Sequence, residues 1–290
     1  MNIRLIIFDF DGTLGDTRRN IVTTMQMTIA ELGLPSRSDA ECVSTIGLPL
    51  YGCFEALFPD AAKEIILQCT DTYSRIFQEN LRAIKPQTFP KVLETLSALK
   101  ERGLTLAIAS SRSHASLVEL TQELGISSII SCLIGADDVE KAKPNPEPVH
   151  NVLAALGYKA SETLVVGDMN VDILMGVNAG AKTCGVTYGN GTKKELEEAG
   201  ANYIINSIDE LIEIVENYNS MKIILTGATE YVGEGTLLEL LRSATKGDAC
   251  SEGLKKVDAV GRGCSYLPVM AMISSPSTQR TSLNSPRSIE

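Results

Sequence analysis

Tryptophan is absent from this chain of 290 residues, histidine occurs only twice, and no two cysteines form a C-x-x-C pair. With so little histidine, a His-based zinc centre or a Ser-His-Asp triad has almost no material. The seven cysteines (Cys42, Cys53, Cys69, Cys132, Cys184, Cys250, Cys264) are odd in number and scattered, which argues against a disulfide framework and for reduced thiols in the cytoplasm. No apolar run approaches the about 18 residues of a membrane span. Met1-Asn2-Ile3-Arg4 leads straight into an apolar strand, so no secretory leader is expected. Positive charge is also scarce, with 26 Lys and Arg against 36 Asp and Glu and a net charge of -10. That balance excludes a nucleic-acid footprint and leaves room for a small, metal-bound anion, provided local cations offset the global repulsion.

What the chain does have is a four-residue apolar run ending in two aspartates: Leu5-Ile6-Ile7-Phe8-Asp9-Phe10-Asp11-Gly12-Thr13-Leu14. Such a run reads as a buried strand in the middle of a parallel sheet. Period-2 geometry points Asp9 and Asp11 to the same side, and Gly12 permits a sharp turn. Carboxylates at that edge of a parallel strand sit where open α/β sheets bind ligands. An Asp-Gly turn alone would say nothing about chemistry.

Residues 17–85 are helical text without a good strand, punctuated by Gly47, Pro49 and Pro59. They read as an all-helical insertion, either packing over the sheet or forming a lid over the aspartates. From Lys91 onward, helices alternate with short apolar strands at 104–109, 129–134, 163–166, 183–187 and 203–205. That alternation predicts a doubly wound, Rossmann-like parallel sheet with right-handed crossovers. The expected division is a catalytic core of residues 1–16 and 86–218, a helical cap of 17–85, and a separate segment of 219–290.

Three further clusters fall after predicted strands. Ser110-Ser111-Arg112 offers hydroxyls and backbone N–H groups at a helix start, equally an anion cradle or an ordinary N-cap. Lys143 in Lys141-Ala142-Lys143-Pro144-Asn145-Pro146 is held extended by the following proline and presents its ammonium, unless it is simply a solvated loop lysine. Asp168 and Asp172 in Gly167-Asp168-Met169-Asn170-Val171-Asp172 lie one helical turn apart, so both can face one point. His114, His150, Arg18 and Arg19 read as ordinary helix residues, and Gly47-Leu48-Pro49-Leu50 as a helix break that could touch substrate.

Taken in order, DFDGTL, Ser110, Lys143-Pro144 and GDMNVD resemble the four motifs of the haloacid dehalogenase superfamily of phosphatases and phosphomutases. The resemblance covers residues 1–218, with the helical insertion where capped members carry their cap. Asn178-Ala179-Gly180-Ala181, the stretch from Gly185 to Gly191, and Glu198-Ala199-Gly200-Ala201 look like the phosphoglycolate phosphatase branch. The resemblance implies that Asp9 attacks phosphorus to give an aspartyl-phosphate and that Asp11 moves protons. It implies magnesium held by the Asp9 carboxylate, the Asp11 backbone carbonyl and Asp168, with Asp172 orienting that set from behind. Gly12, Ser110, Ser111 and Lys143 would join Asp9 around the phosphate.

The expected activity is therefore magnesium-dependent hydrolysis of a small phosphate monoester, phosphoglycolate being the best single candidate. A sugar phosphomutase with the same nucleophile and a catalytically silent phosphate-binding module are the alternatives. A dehalogenase would have no need of Asp11 or a metal. The expected partner is a small-molecule phosphate ester, with no nucleic acid and no membrane, in a monomer or homodimer. At Met221 the text changes. Thr226-Gly227-Ala228-Thr229-Glu230-Tyr231-Val232-Gly233 resembles the T-G-x-x-G-x-x-G opening of an NAD-dependent epimerase, with Glu230 where the middle glycine belongs. A carboxylate there would crowd and repel a pyrophosphate. The tail reads as a truncated fragment, disordered over 243–290.

Overall fold

A computed structural model describes residues 2–219 together with two three-residue strands, Val257–Ala259 and Ala271–Ile273, which pair antiparallel. The expected dinucleotide-type opening, and the disorder expected of 243–290 apart from those strands, lie outside the described residues. Residues 1–218 form one compact unit.

Its centre is strand β1 (Leu5–Phe8). Strand β4 (Thr105–Ala109) runs parallel to it on one side, and β6 (Thr163–Gly167) on the other. Strands β5 (Cys132–Ile134), β7 (Lys182–Val186) and β8 (Tyr203–Ile205) complete a six-stranded sheet in the order β5-β4-β1-β6-β7-β8. The side-chain period of two divides β1 between two apolar layers. Ile6 and Phe8 join one core cluster, while Leu5 and Ile7 pack with Ala107, Val149 and Val165 in the other. All four are fully buried, which is why the run contains no polar residue. Helices α5 (Val92–Glu101), α6 (His114–Glu123), α7 (Glu147–Leu156), α8 (Asn170–Asn178), α9 (Lys193–Glu198) and α10 (Glu210–Asn219) connect or follow the strands.

The strand order reverses at β1, so the gap between the ends of β1 and β6 is the topological switch point of a doubly wound sheet. Asp9 and Asp168 are the residues that follow these two strands.

Between β1 and α5 the chain makes four helices: α1 (Arg18–Glu31), α2 (Asp39–Ser44), α3 (Leu50–Leu57) and α4 (Lys63–Ala83). Ile21, Met25 and Ile29 recur at helical spacing on the buried side of α1. Phe54 of α3 meets Tyr73 edge-on with ring centroids 6.0 Å apart, and Tyr73 stacks on Phe77 at 5.7 Å. The buried amide of Asn80 donates to Thr24 Oγ1 at 2.9 Å, tying α4 to α1. Ser38 and Glu41 start α2 with reciprocal capping bonds.

Two details differ from the sequence reading. The strand expected over 129–134 is confined to Cys132–Ile134, which pair with Ala107–Ala109 of β4, because Ile129 and Ile130 turn back to bond the Ile126 carbonyl. In addition, the two segments that enter and leave the helical insertion pair with each other. Strands β2 (Gly15–Asp16) and β3 (Gln87–Thr88) form a short antiparallel ladder, so both connections cross side by side.

Candidate active site

After β1 the backbone folds into a tight loop. The N–H groups of Leu14 and Gly15 both donate to the Phe10 carbonyl, and Gly12 donates to Gly15. Gly12 sits at φ +89°, and a Cβ there would lie 2.2 Å from Asp168 Oδ2. Glycine is therefore required twice over, for the left-handed backbone and for the approach of Asp168. Thr13 reaches across to donate to Asp168 Oδ1 at 3.1 Å. The other Asp168 oxygen accepts from the backbone N–H of Asn190 at 2.7 Å and from its side-chain amide at 3.1 Å.

Asp172, in the first turn of α8, accepts the Met169 N–H at 3.0 Å with one oxygen. Its other oxygen accepts from Lys143 Nζ at 2.7 Å. The same ammonium donates to Asp9 Oδ1 at 2.6 Å. Lys143 precedes a cis proline and its side chain is only 3% exposed. Oxygens of Asp9, Asp168 and Asp172 all lie within 4.8 Å of one another. Three predicted motifs thus meet at one point, with a lysine bridging two carboxylates.

The electrostatics follow from that crowding. Burial drives the Asp9 carboxyl well above the usual range. Lys143 opposes the shift, while Asp172, Asp168 and Asp11 add to it. Burial, reinforced by Asp172, pushes Asp168 up to about 7 despite its hydrogen-bond donors. Burial works against the Lys143 ammonium, but Asp172 and Asp9 outweigh it and raise the pKa above the ordinary lysine value.

Asp11 stands outside the carboxylate cluster. Its Oδ1 accepts from Thr17 Oγ1, and its Oδ2 pairs with Arg112 Nε at 2.6 Å. Among the described residues, the ion pairs of Asp9, Asp11 and Asp172 are with Lys143 and Arg112, so full ionisation of these three and Asp168 leaves an excess of two negative charges. Hard oxygen donors with that excess fit a divalent cation such as magnesium.

Ser110 is buried at the end of β4 and lines the same cavity as Asp9. Ser111 lines that cavity too. Its hydroxyl donates to the Gly47 carbonyl at 2.6 Å and joins the core to the helical insertion. His114 pairs with Asp138 at a half-exposed site, and His150 is exposed on α7, in keeping with their ordinary reading.

Arg112 belonged to a motif singled out in the sequence but received no role there. Its guanidinium lies 4.9 Å from the Phe77 ring centroid, and Nη1 donates to Ser116 at 3.3 Å. Nη2 is buried without a hydrogen-bond partner. An unmet buried donor costs about 1–3 kcal/mol. Thr13, Thr17 and Asn190 were missed as well. Asn190 lies in the glycine-rich stretch after β7, and its amide beside two glycines was the available signal.

A cavity of about 300 Å³ lies between the strand ends and the helical insertion. Asp9, Asp11, Ser110 and Arg112 form its polar end, and Met25, Leu50, Tyr73 and Phe77 belong to its other wall.

Comparison with known proteins places the chain among its relatives. A family model described as haloacid dehalogenase-like hydrolase matches residues 6–186. Pyrophosphatase PpaX of Halalkalibacterium halodurans is 33% identical over 218 residues, which are 74% of this chain and 98% of that protein. A phosphoglycolate phosphatase of Yersinia pestis is 32% identical over 191 residues, covering 64% of this chain and 82% of the relative. Among solved structures, a haloacid dehalogenase-like hydrolase from Bacteroides fragilis superposes with a TM-score of 0.69 at 28% identity, over 72% of this chain and all of that one.

Proposed function

We propose that this chain, which belongs to the haloacid dehalogenase-like hydrolase family, is a magnesium-dependent phosphatase acting on a small organic phosphate, with phosphoglycolate the leading candidate. The observation that carries this reading is the buried Asp9–Lys143–Asp172 chain beside Asp168, opening into a cavity closed by the helical insertion. Relatives named pyrophosphatase and phosphoglycolate phosphatase support it.

In this reading Asp9 attacks phosphorus and carries the phosphoryl group as an aspartyl-phosphate. Lys143 holds the nucleophile in position and offsets charge on the transferring group. Asp11 gives a proton to the leaving oxygen and then takes one from the water that cleaves the intermediate. Ser110 donates to a phosphate oxygen from the end of β4. The carboxylates of Asp9 and Asp168 and the backbone carbonyl of Asp11 would hold the magnesium, with Asp172 steadying the set through Lys143. When bound, the ion supplies positive charge against the phosphate oxygens.

The cavity volume of about 300 Å³ is at the small end for ligand sites and suits a substrate of a few heavy atoms. We place the protein in the cytoplasm. Cys42, Cys53, Cys69, Cys132 and Cys184 are unpaired, and no helix among the described residues is long and apolar enough to cross a membrane.

The test is phosphate release from phosphoglycolate, pyrophosphate, hexose phosphates and nucleotides, with magnesium and with chelator. Metal-dependent release from the small substrates is expected. Turnover insensitive to chelator would overturn the reading. Exchange between sugar phosphate isomers without net release would replace hydrolysis by a mutase reaction.

A further inference from the structure

The cavity has two cationic groups near it, and they are not in the same state. Lys143 is fully committed, with Asp9 and Asp172 both within 2.7 Å of its ammonium. Arg112 is held on one side only. Asp11 takes Nε, Ser116 accepts a long 3.3 Å bond from Nη1, and Nη2 has no partner although it is buried. The side chain is 11% exposed, and its plane is fixed between Asp11 and the Phe77 ring. It is also the only Lys or Arg among the described residues that line the cavity. A guanidinium presents its donors in a planar fork suited to a carboxylate or phosphate, so a single ion pair leaves half of that fork unused.

We propose that Arg112 receives a second anionic group of the substrate, a carboxylate or a second phosphoryl, carried on the leaving-group side of the scissile bond. The inference rests on the phosphatase reading and narrows it to substrates with two anionic ends. Asp11, the group that protonates the leaving oxygen, already touches Arg112. The second anion therefore lies a few bonds from that oxygen, which fits the small cavity and excludes a long spacer. Nη2 is buried, so the guanidinium must be uncovered for the anion to reach it. The same event frees Asp11: an anion that draws the guanidinium away loosens its hold on the carboxylate that must carry the proton. A purely structural arginine, bridging Asp11 to the aromatic wall, would affect all phosphate esters alike.

Three non-hydrolysable phosphonates distinguish these roles by calorimetry on the full chain with excess magnesium. Phosphonoacetate carries a carboxylate, methylenediphosphonate a second phosphoryl, and ethylphosphonate neither. One of the first two is expected to bind at least about 10-fold more tightly than ethylphosphonate, a ratio typical of one charge-assisted contact, and which one it is identifies the second group. The ratio should collapse in Arg112→Gln and survive in part in Arg112→Lys. Equal binding of all three by the unaltered protein, or a ratio unchanged in Arg112→Gln, overturns the proposal. If Arg112→Gln does not fold, the comparison is made with Arg112→Lys, where the ratio should fall and an unchanged ratio overturns the proposal. Binding of ethylphosphonate without preference sinks this inference alone, whereas failure of all three to bind sinks the phosphatase reading with it.

Discussion

The two walls of the cavity are built on different principles. On the core side, polar groups hold one another. Asp168 accepts from Thr13 and twice from Asn190, Asp172 from Met169 and Lys143, and Asp9 from Lys143. On the cap side the wall includes Met25, Leu50, Tyr73 and Phe77, and the donor facing it, Arg112 Nη2, is unmet. The first wall is preorganised for one chemistry at one point, as electrostatic catalysis requires. The second supplies shape and lies beside one unmet donor, the features that select a substrate. Changes on the core side should therefore act on kcat or on the metal requirement, and changes on the cap side on KM and selectivity.

The largest break is Asp9→Asn. Loss of the nucleophile is expected to lower kcat by about 10⁴-fold or more, with the thermal midpoint retained because the amide replaces a carboxylate crowded by three others. Next is Lys143→Met, which leaves Asp9 and Asp172 facing each other without their shared cation. It should cost about 3–5 kcal/mol of stability by denaturant titration, as well as most of the turnover. Asn190→Ala removes one donor from Asp168 and should raise the magnesium concentration for half-maximal activity about 10-fold, with kcat at saturating metal little changed. On the opposite wall, Phe77→Ala should raise KM far more than it lowers kcat. Equal effects on both parameters would erase the contrast between the walls.

A further expected effect is linked to protons. In metal-free protein the Asp168 carboxyl is raised to about 7, from about 4 in the unfolded chain. The folded state then binds more protons than the unfolded one across that window. Stability without metal should fall as pH rises from about 4 to 7, and magnesium should flatten the slope. A scan of thermal midpoint against pH, with and without the ion, measures this directly.

Much of the core wall was legible in the sequence because strand ends fix positions. An uninterrupted apolar run such as Leu5 to Phe8 is central in its sheet, and the residue after each such strand is delivered to the same edge. Asp9, Ser110 and Asp168 follow from that alone, and Asp172 from one helical turn. What escaped was held by contacts with no local period. Asn190 meets Asp168 across 22 residues, Arg112 meets Asp11 across 101, and Ser111 turns to a carbonyl 64 residues away. The ladder of β2 with β3 escaped for a related reason, since strands of two residues show no alternation.

The account's central claim is that Asp9 carries the phosphoryl group, and trapping that adduct tests it most directly. The protein would be mixed with magnesium and ³²P-labelled phosphoglycolate or pyrophosphate, quenched in acid within the first turnover, and mapped by peptide. Label on the peptide containing Asp9, absent in Asp9→Asn, is the predicted result. Hydrolysis at full rate with no label on that peptide, or with label on another residue, would contradict it.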